Sequence, residues 1–442
     1  MRASDFRRGI QRVLSFGDFP DYYQGILGAP ACQQKPRRCD LAAGILTDDA
    51  AGTVTFHLSQ ADPDFLYKLA LPMAAPAPPG AAGHFMDRAP FLPGTGPYMI
   101  SQYRPGSSLT LVRNPHFRQW SYAAQPAGYP NVIRIEHVAD PGQQQSAVET
   151  GRADLMDISG DPDNQLYGPL AIRYPTRIHS AVDLDLSYLF LNTRQPPFTS
   201  LKARQALIYA IDRGRIIQLL HLGSPGQATP TCQVLPPGYT GHQPYCPYTA
   251  DPQDGAWHGP DLATAKQLAQ ESGTTQVPVT VWNIIGKPVG AYLVQVLRQL
   301  GYRATVRNVT LDQLHPAIHN PRSKSQLGTV GWAADIPAAS DFFLQTLTCR
   351  SFDRKSAFTA NIAQFCDPHV DQLVGQAQAV QQTDPAAARK LWASIDRLVT
   401  NQAPWVPLYN ESPVVTFTSA RVGNYQESTW YQGPLFDQIW VQ

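Results

Sequence analysis

Between Val279 and Val306 the sequence changes its hydrophobic period twice, and this segment constrains the fold more than any other. Val279–Ile285 reads as a strand, Val289, Tyr292, Leu293, Val296, Leu297 and Leu300 form a helical stripe, and Tyr302–Val306 reads as a second strand. Strand, helix and strand in that order imply a parallel pair joined by a crossover helix, the building unit of α/β folds. Val182, Leu184, Leu186, Tyr188 and Phe190 recur at every second residue and predict a half-buried strand, and Leu327–Trp332 predicts another.

Around this centre, Ser4 can cap a helix carrying Phe6, Ile10, Val13 and Leu14 on one face. Thr53–Leu58 reads as a strand and Pro63–Leu69 as a short helix. The Pro/Ala/Gly stretch from Pro72 to Pro93 reads as a loop or linker. Tyr98–Tyr103 and Leu109–Arg113 flank a Pro-Gly turn and predict a hairpin. Leu201–Leu222 reads as a helix interrupted near Gly214, Asp261 as the cap of a further helix, and Val370–Thr400 as one long helix.

Composition then narrows the function. With 442 residues the chain is long enough for about three domain-sized units. Lys plus Arg is 35 and Asp plus Glu is 34, a net +1 that supplies no basic field for nucleic acid or an anionic membrane. The richest apolar stretch, Leu69–Gly83, is broken by Pro72, Pro76, Pro78 and Pro79, which argues against a membrane span, and no export signal is visible after Met1. GxSxG, GxGxxG, GxxxxGK and HExxH are all missing, so hydrolase, dinucleotide, P-loop and zincin chemistry lack their parts, and no enzyme is expected. His315 and His319 stand at i and i+4, but Pro316 lies between them and no third ligand accompanies them, so neither a metal nor any other cofactor is expected. Asp48 and Asp49 read as turn residues.

The six cysteines fall as three local couples: Cys32 with Cys39, Cys232 with Cys246, and Cys349 with Cys366. Fifteen pairings are open in principle, and six buried thiols are the alternative. The local clustering leans toward three structural disulfides, each clamping a loop, and hence toward an oxidising compartment; Lys35–Arg38 is polar and contains a Pro, and Gln233–Tyr245 holds three prolines and two glycines, so neither of these two segments orders itself by packing.

At Gly331-Trp332-Ala333-Ala334-Asp335 a strand ends in a flat apolar ring followed by a carboxylate. The carboxyl end of a sheet is where α/β folds bind ligands. The competing reading makes Trp332 core and Asp335 a cap for a helix around Ser340–Thr346.

Several segments in order resemble the extracellular solute-binding protein family 5, the dipeptide-, oligopeptide- and nickel-type binding proteins of ABC importers. They are Ser4-Asp5-Phe6, Gly94-Thr95-Gly96-Pro97-Tyr98 with Leu111-Val112-Arg113-Asn114-Pro115, and Gly151-Arg152-Ala153-Asp154. They continue with Leu191-Asn192-Thr193 and Pro196-Pro197-Phe198, Arg204-Gln205-Ala206-Leu207 with Ala210-Ile211-Asp212-Arg213, Gly331-Trp332 with Asp335, and Ala403-Pro404-Trp405-Val406-Pro407-Leu408-Tyr409. The resemblance implies an α/β, periplasmic-binding-protein-like two-lobed fold of the class with an extra domain, its mixed sheets flanked by helices. It further implies an additional domain over residues 1–94, a first lobe over 95–188 and 413–442, and a second lobe over 189–412. Family members carry a segment ahead of the position of Ser4, so a fragment, a truncated gene or a piece of a fusion is expected. The implied function is extracytoplasmic capture of a small peptide for ABC-transporter permease subunits by a monomer; a ligand-sensing module of a larger protein is the alternative. For the peptide-binding branch, Asp335 would receive the ligand's α-ammonium, beside Trp332, and the backbone around Gly331 and Ala333 would pair with its main chain.

Overall fold

The computed structural model describes residues 1–16, 20–35, 38–81, 93–158, 166–180, 185–222, 228–352, 354, 359–411, 415–428 and 433–442. Val182, Leu184, the linker beyond residue 81 and the boundary between 412 and 413 lie outside these residues. The chain divides into two units, Met1–Leu92 with Leu184–Leu219 and Thr229–Asn410, and Pro93–Asp183 with Leu220–Ala228 and Glu411–Gln442.

The first unit is organised by a six-stranded mixed sheet. Its spatial order is Arg303–Asn308, Pro278–Asn283, Leu327–Trp332, Asp185–Leu191, Trp405–Glu411 and Ala228–Pro230. The first two strands pair in parallel across the helix Lys287–Gln299, as the change of period predicts. Gly290 explains how closely that helix seats: a Cβ there would come within 2.9 Å of Asn283, Val306 and Asn308. Leu327–Trp332 runs parallel to Pro278–Asn283 and antiparallel to Asp185–Leu191.

Asp185–Leu191 is buried on both faces, not one. Leu186, Tyr188 and Phe190 enter a core with Phe342, Phe343, Trp392, Val399 and Trp405, while Leu189 and Leu191 on the opposite face are buried as well. A strand central to a covered sheet has no solvent side, so the period-2 pattern understates its burial.

Local chemistry corrects two further expectations and bears out a third. The segment after Val370 is two helices, Pro368–Val380 and Pro385–Gln402, because Pro385 has no N–H to continue the first and Asp384 caps the second through Ala387 N. The interruption expected near Gly214 is present: helices Leu201–Ala210 and Arg213–Leu219 meet at Asp212, whose Oδ1 accepts from Arg215 N at 2.9 Å. Ser4 lies inside the helix Ala3–Phe16, its N–H and hydroxyl both donating to Asp49, so it tethers that helix and does not cap it. Asp261 does cap its helix, accepting from Thr264 N. Ile10, Val13 and Leu14 pack with Tyr22, Tyr23, Ile26 and Ile45 into a separate small core.

All six cysteines belong to this unit and stand in three pairs at disulfide distance, Cys32/Cys39, Cys232/Cys246 and Cys349/Cys366. His315 and His319 rings lie 5.0 Å apart, with His319 Nδ1 2.7 Å from Thr359 O. No group that could hold a metal occurs among the described residues. Among them, too, no helix is long and apolar enough to cross a membrane.

The second unit contains the expected hairpin, Tyr98–Arg104 with Ser108–Arg113, extended by Val132–Glu136. Gly106, at φ 69°, takes the left-handed position of its turn. A second three-stranded sheet places Val415–Thr418 between Leu155–Asp157 and Ile178–Ser180, over a core of Val148, Met156, Leu170 and Phe417.

Candidate ligand-binding site

The strand Leu327–Trp332 enters deeply buried and leaves at the surface. From Gly331 onward the chain alternates: Gly331, Ala333 and Asp335 are exposed, Ala334 and Ile336 are buried, and Trp332 is half-buried. Ladder pairing with Asp185–Leu191 ends at Trp332, opposite Leu186. Exposed backbone and a carboxylate therefore stand together at a sheet's carboxyl end.

Asp335 does not cap the helix that follows. That helix, Ser340–Leu344, starts from Ala339 without any side-chain cap. Asp335 Oδ2 instead accepts from the Tyr22 hydroxyl at 2.6 Å, and the same hydroxyl oxygen lies 2.8 Å from Asp341 Oδ1. The Asp335 backbone N–H donates to Asp341 Oδ2 at 3.0 Å. One phenol thus bridges an exposed and a buried carboxyl.

The electrostatics follow from burial. Asp341 is shut away from water, which pushes its pKa up to about 7; the charge of Asp335 adds to the rise, and the hydrogen bond from the Asp335 N–H opposes it. Burial and the two neighbouring carboxyls hold the Tyr22 phenol well above its ordinary range, so it keeps its proton. Trp332 Nε1 is buried and makes no hydrogen bond of ordinary geometry, although the indole is near enough to Asp341 to act against the rise.

A second layer fixes these groups. Buried Asp64 accepts from Ser340 Oγ at 2.6 Å and from Gln381 Nε2 at 2.7 Å, and Gln381 in turn accepts from the Trp392 indole at 3.3 Å. Tyr23 donates to Lys68 O at 2.8 Å, and the Lys68 ammonium pairs with Asp62. Nothing in the local sequence marks Tyr22 or Asp341: Tyr22 is 313 positions from Asp335, and Asp341 looks like any polar residue opening a helix. A separate pocket of about 340 Å³, lined in part by Gln60, Thr348, Asp371 and Gln378, includes none of residues 331–335.

Comparison with known proteins agrees with this architecture. The family described as "Bacterial extracellular solute-binding proteins, family 5 Middle" matches residues 1–353. The chain belongs to that family. The glutathione-binding protein GsiB of Escherichia coli K12 is 26% identical over 381 residues, covering 82% of this chain and 67% of GsiB. Clavulanic acid biosynthesis oligopeptide binding protein 2 superposes with a TM-score of 0.83 at 22% identity, over 100% of this chain and 80% of its own. The Escherichia coli murein tripeptide binding protein MppA gives 0.76 at 18%, over 100% and 83%. This family-5 chain has the periplasmic peptide-binding-protein fold and, like its relatives, is a binding protein, not an enzyme.

Proposed function

We propose that the chain captures short peptides outside the cytoplasm and delivers them to the permease subunits of an ABC importer. Asp335 takes the ligand's α-ammonium, Trp332 offers an apolar face, and the backbone at Gly331 and Ala333 pairs with the ligand main chain. The observation that carries the reading is the exposed Asp335 carboxylate, oriented by a Tyr22 hydroxyl at 2.6 Å, at the unpaired end of a buried strand. A carboxylate fixed in this way favours an ammonium, while main-chain pairing is blind to side chains. Relatives named for glutathione and murein tripeptide are consistent with a small peptide that carries such a group. The proposal extends to a division of labour in a monomer: residues 1–94 as an additional domain, 95–188 with 413–442 as one lobe, and 189–412 as the other. The separate core around Ile10, Leu14, Tyr23 and Ile45 supports the first of these.

The test is calorimetric titration of trialanine and glutathione against wild type and Asp335→Asn, with N-acetyl-trialanine as the ligand-side control. Leaving a buried ammonium without its counter-charge costs roughly 2–5 kcal/mol, so the variant's affinity should fall at least about tenfold. Equal affinity for free and acetylated trialanine, or an Asn variant that binds normally, would take Asp335 out of the site.

A further inference from the structure

The Tyr22 hydroxyl has one proton, and two carboxyl oxygens lie against its oxygen, at 2.6 Å on Asp335 and 2.8 Å on Asp341. It can donate to only one of them. If both carboxyls were ionised, the other contact would set two acceptors face to face with nothing between them. The remaining contact must therefore run the other way, from a carboxylic acid to the phenol oxygen.

Burial decides which carboxyl holds that proton. Asp341 is 2% exposed, whereas Asp335 faces solvent, where the charged form is favoured. Both oxygens of Asp341 then have defined tasks, since Oδ2 already accepts the Asp335 N–H at 3.0 Å and Oδ1 is left to carry the hydrogen. The groups that face Asp341 are Tyr22 from the turn Pro20–Tyr23, Asp335 and Trp332 from the chain after the sheet strand, and Tyr239, whose ring packs edge-on against Phe342. Asp64 stands one step further out on Ser340. The upward shift of Asp341 agrees with the geometry.

We infer that Asp341 is a positioning residue that holds the site's proton: Asp341 donates to Tyr22, Tyr22 donates to Asp335, and the two carboxyls together present one negative charge, located on Asp335. Two like charges sharing one site separate in just this way, one neutral and one ionised. The consequence is selectivity for a group with a single positive charge, because the second carboxyl is not available to balance a dication. That consequence rests on Asp335 as the ammonium acceptor; the placement of the proton does not.

Asn is isosteric with the protonated form, its amide donating to Tyr22 and its oxygen accepting from the Asp335 N–H. The first measurement is the infrared difference spectrum of ligand-free wild type minus Asp341→Asn. We expect a carboxylic-acid C=O band in wild type that is absent from the variant and fades as pH is raised through about 7. Tyr22→Phe, which removes the acceptor, should move that band without abolishing it. A spectrum without such a band overturns the inference. The second measurement is trialanine titration: Asp341→Asn should bind within about twofold of wild type, and Asp341→Ala, which strands the phenol, should lose about tenfold. An Asn variant that folds but binds as poorly as Asp335→Asn overturns the positioning role. The infrared band needs no ligand, so failure of trialanine to bind wild type would count against the peptide reading while the band still decides where the proton sits.

Discussion

The two units solve the problem of a sheet in opposite ways. In the first, Asp185–Leu191 is buried along nearly its whole length, and Trp405 stacks on Tyr188 with ring centroids 3.8 Å apart. In the second, the sheet of Tyr98–Arg104, Ser108–Arg113 and Val132–Glu136 leaves Met99, Ile100, Tyr103, Val132 and Ile135 each at least 40% exposed. The central strand is at most half-buried and no residue of the three strands is fully buried, and a small sheet of this kind has marginal stability of its own. The difference bears on chemistry as well as stability. Burial raises a carboxyl in each unit, but the two that it pushes up to about 7, Asp341 and Asp396, both lie in the unit with the covered sheet, whereas Asp437 of the second unit is raised less.

The strongest attempt to break this contrast is a pair of truncations. Trp405→Ala removes a side chain 2% exposed and should destabilise by about 3–5 kcal/mol, while Ile135→Ala, at 40% exposure, should cost less than about 1 kcal/mol. Denaturant unfolding of both variants reads the difference. Equal costs would mean that the second sheet has a covered face in solution and that the contrast is false.

The cysteines give the next effect, since all six are in the first unit. Removing Cys232/Cys246, which closes a separation of 14 residues, should cost about 3 kcal/mol, and removing Cys32/Cys39, with a separation of 7, about 2 kcal/mol. The loop after Cys232 has a second clamp: buried Asp396 accepts from Gln233 Nε2 at 2.6 Å and from Val234 N at 3.0 Å. If the loss of Cys232/Cys246 proves much smaller than expected, Asp396 holds the loop by itself; unfolding of the double Cys→Ala variants by denaturant checks both values.

Legibility in the sequence followed the range of the interactions. Residues 278–308 were readable because two periodicities and a crossover are local properties, and the parallel pairing confirms them. The helix after Val370 was misread at its middle because Ala-rich sequence on either side of Asp384-Pro385 masks a stop signal that is itself local. In the site, Asp335 is visible from Trp332 at the end of a strand, but the groups that hold it are not. Tyr22 reaches it from 313 positions away, and Asp341 faces Tyr22 and Tyr239, neither of which can be inferred from the residues beside it.

The smallest expected effect sharpens the comparison, because it tests whether the covered unit stores a proton. The folded pKa of Asp341, about 7, lies above its ordinary 3.8, so between those values the folded protein holds a proton that the unfolded chain releases. Stability from this group is full below about pH 4 and declines as pH rises through 7. Asp396, also raised to about 7 by burial, contributes in the same direction. Across one pH unit just below 7, one such group accounts for roughly 1 kcal/mol. Asp341→Asn removes the titration while keeping the hydrogen bonds, so thermal unfolding from pH 5 to 7.5 should show a shallower loss of stability than wild type. Asp396 offers the contrast within the same unit. Gln233 Nε2 donates to one Asp396 oxygen and the N–H groups of Val234 and Leu235 to the other, so in Asp396→Asn only one side-chain oxygen is left to accept from these three donors. That variant should therefore be destabilised across the whole range. Parallel pH profiles for wild type and Asp341→Asn would show that Asp341 is already ionised in the folded chain.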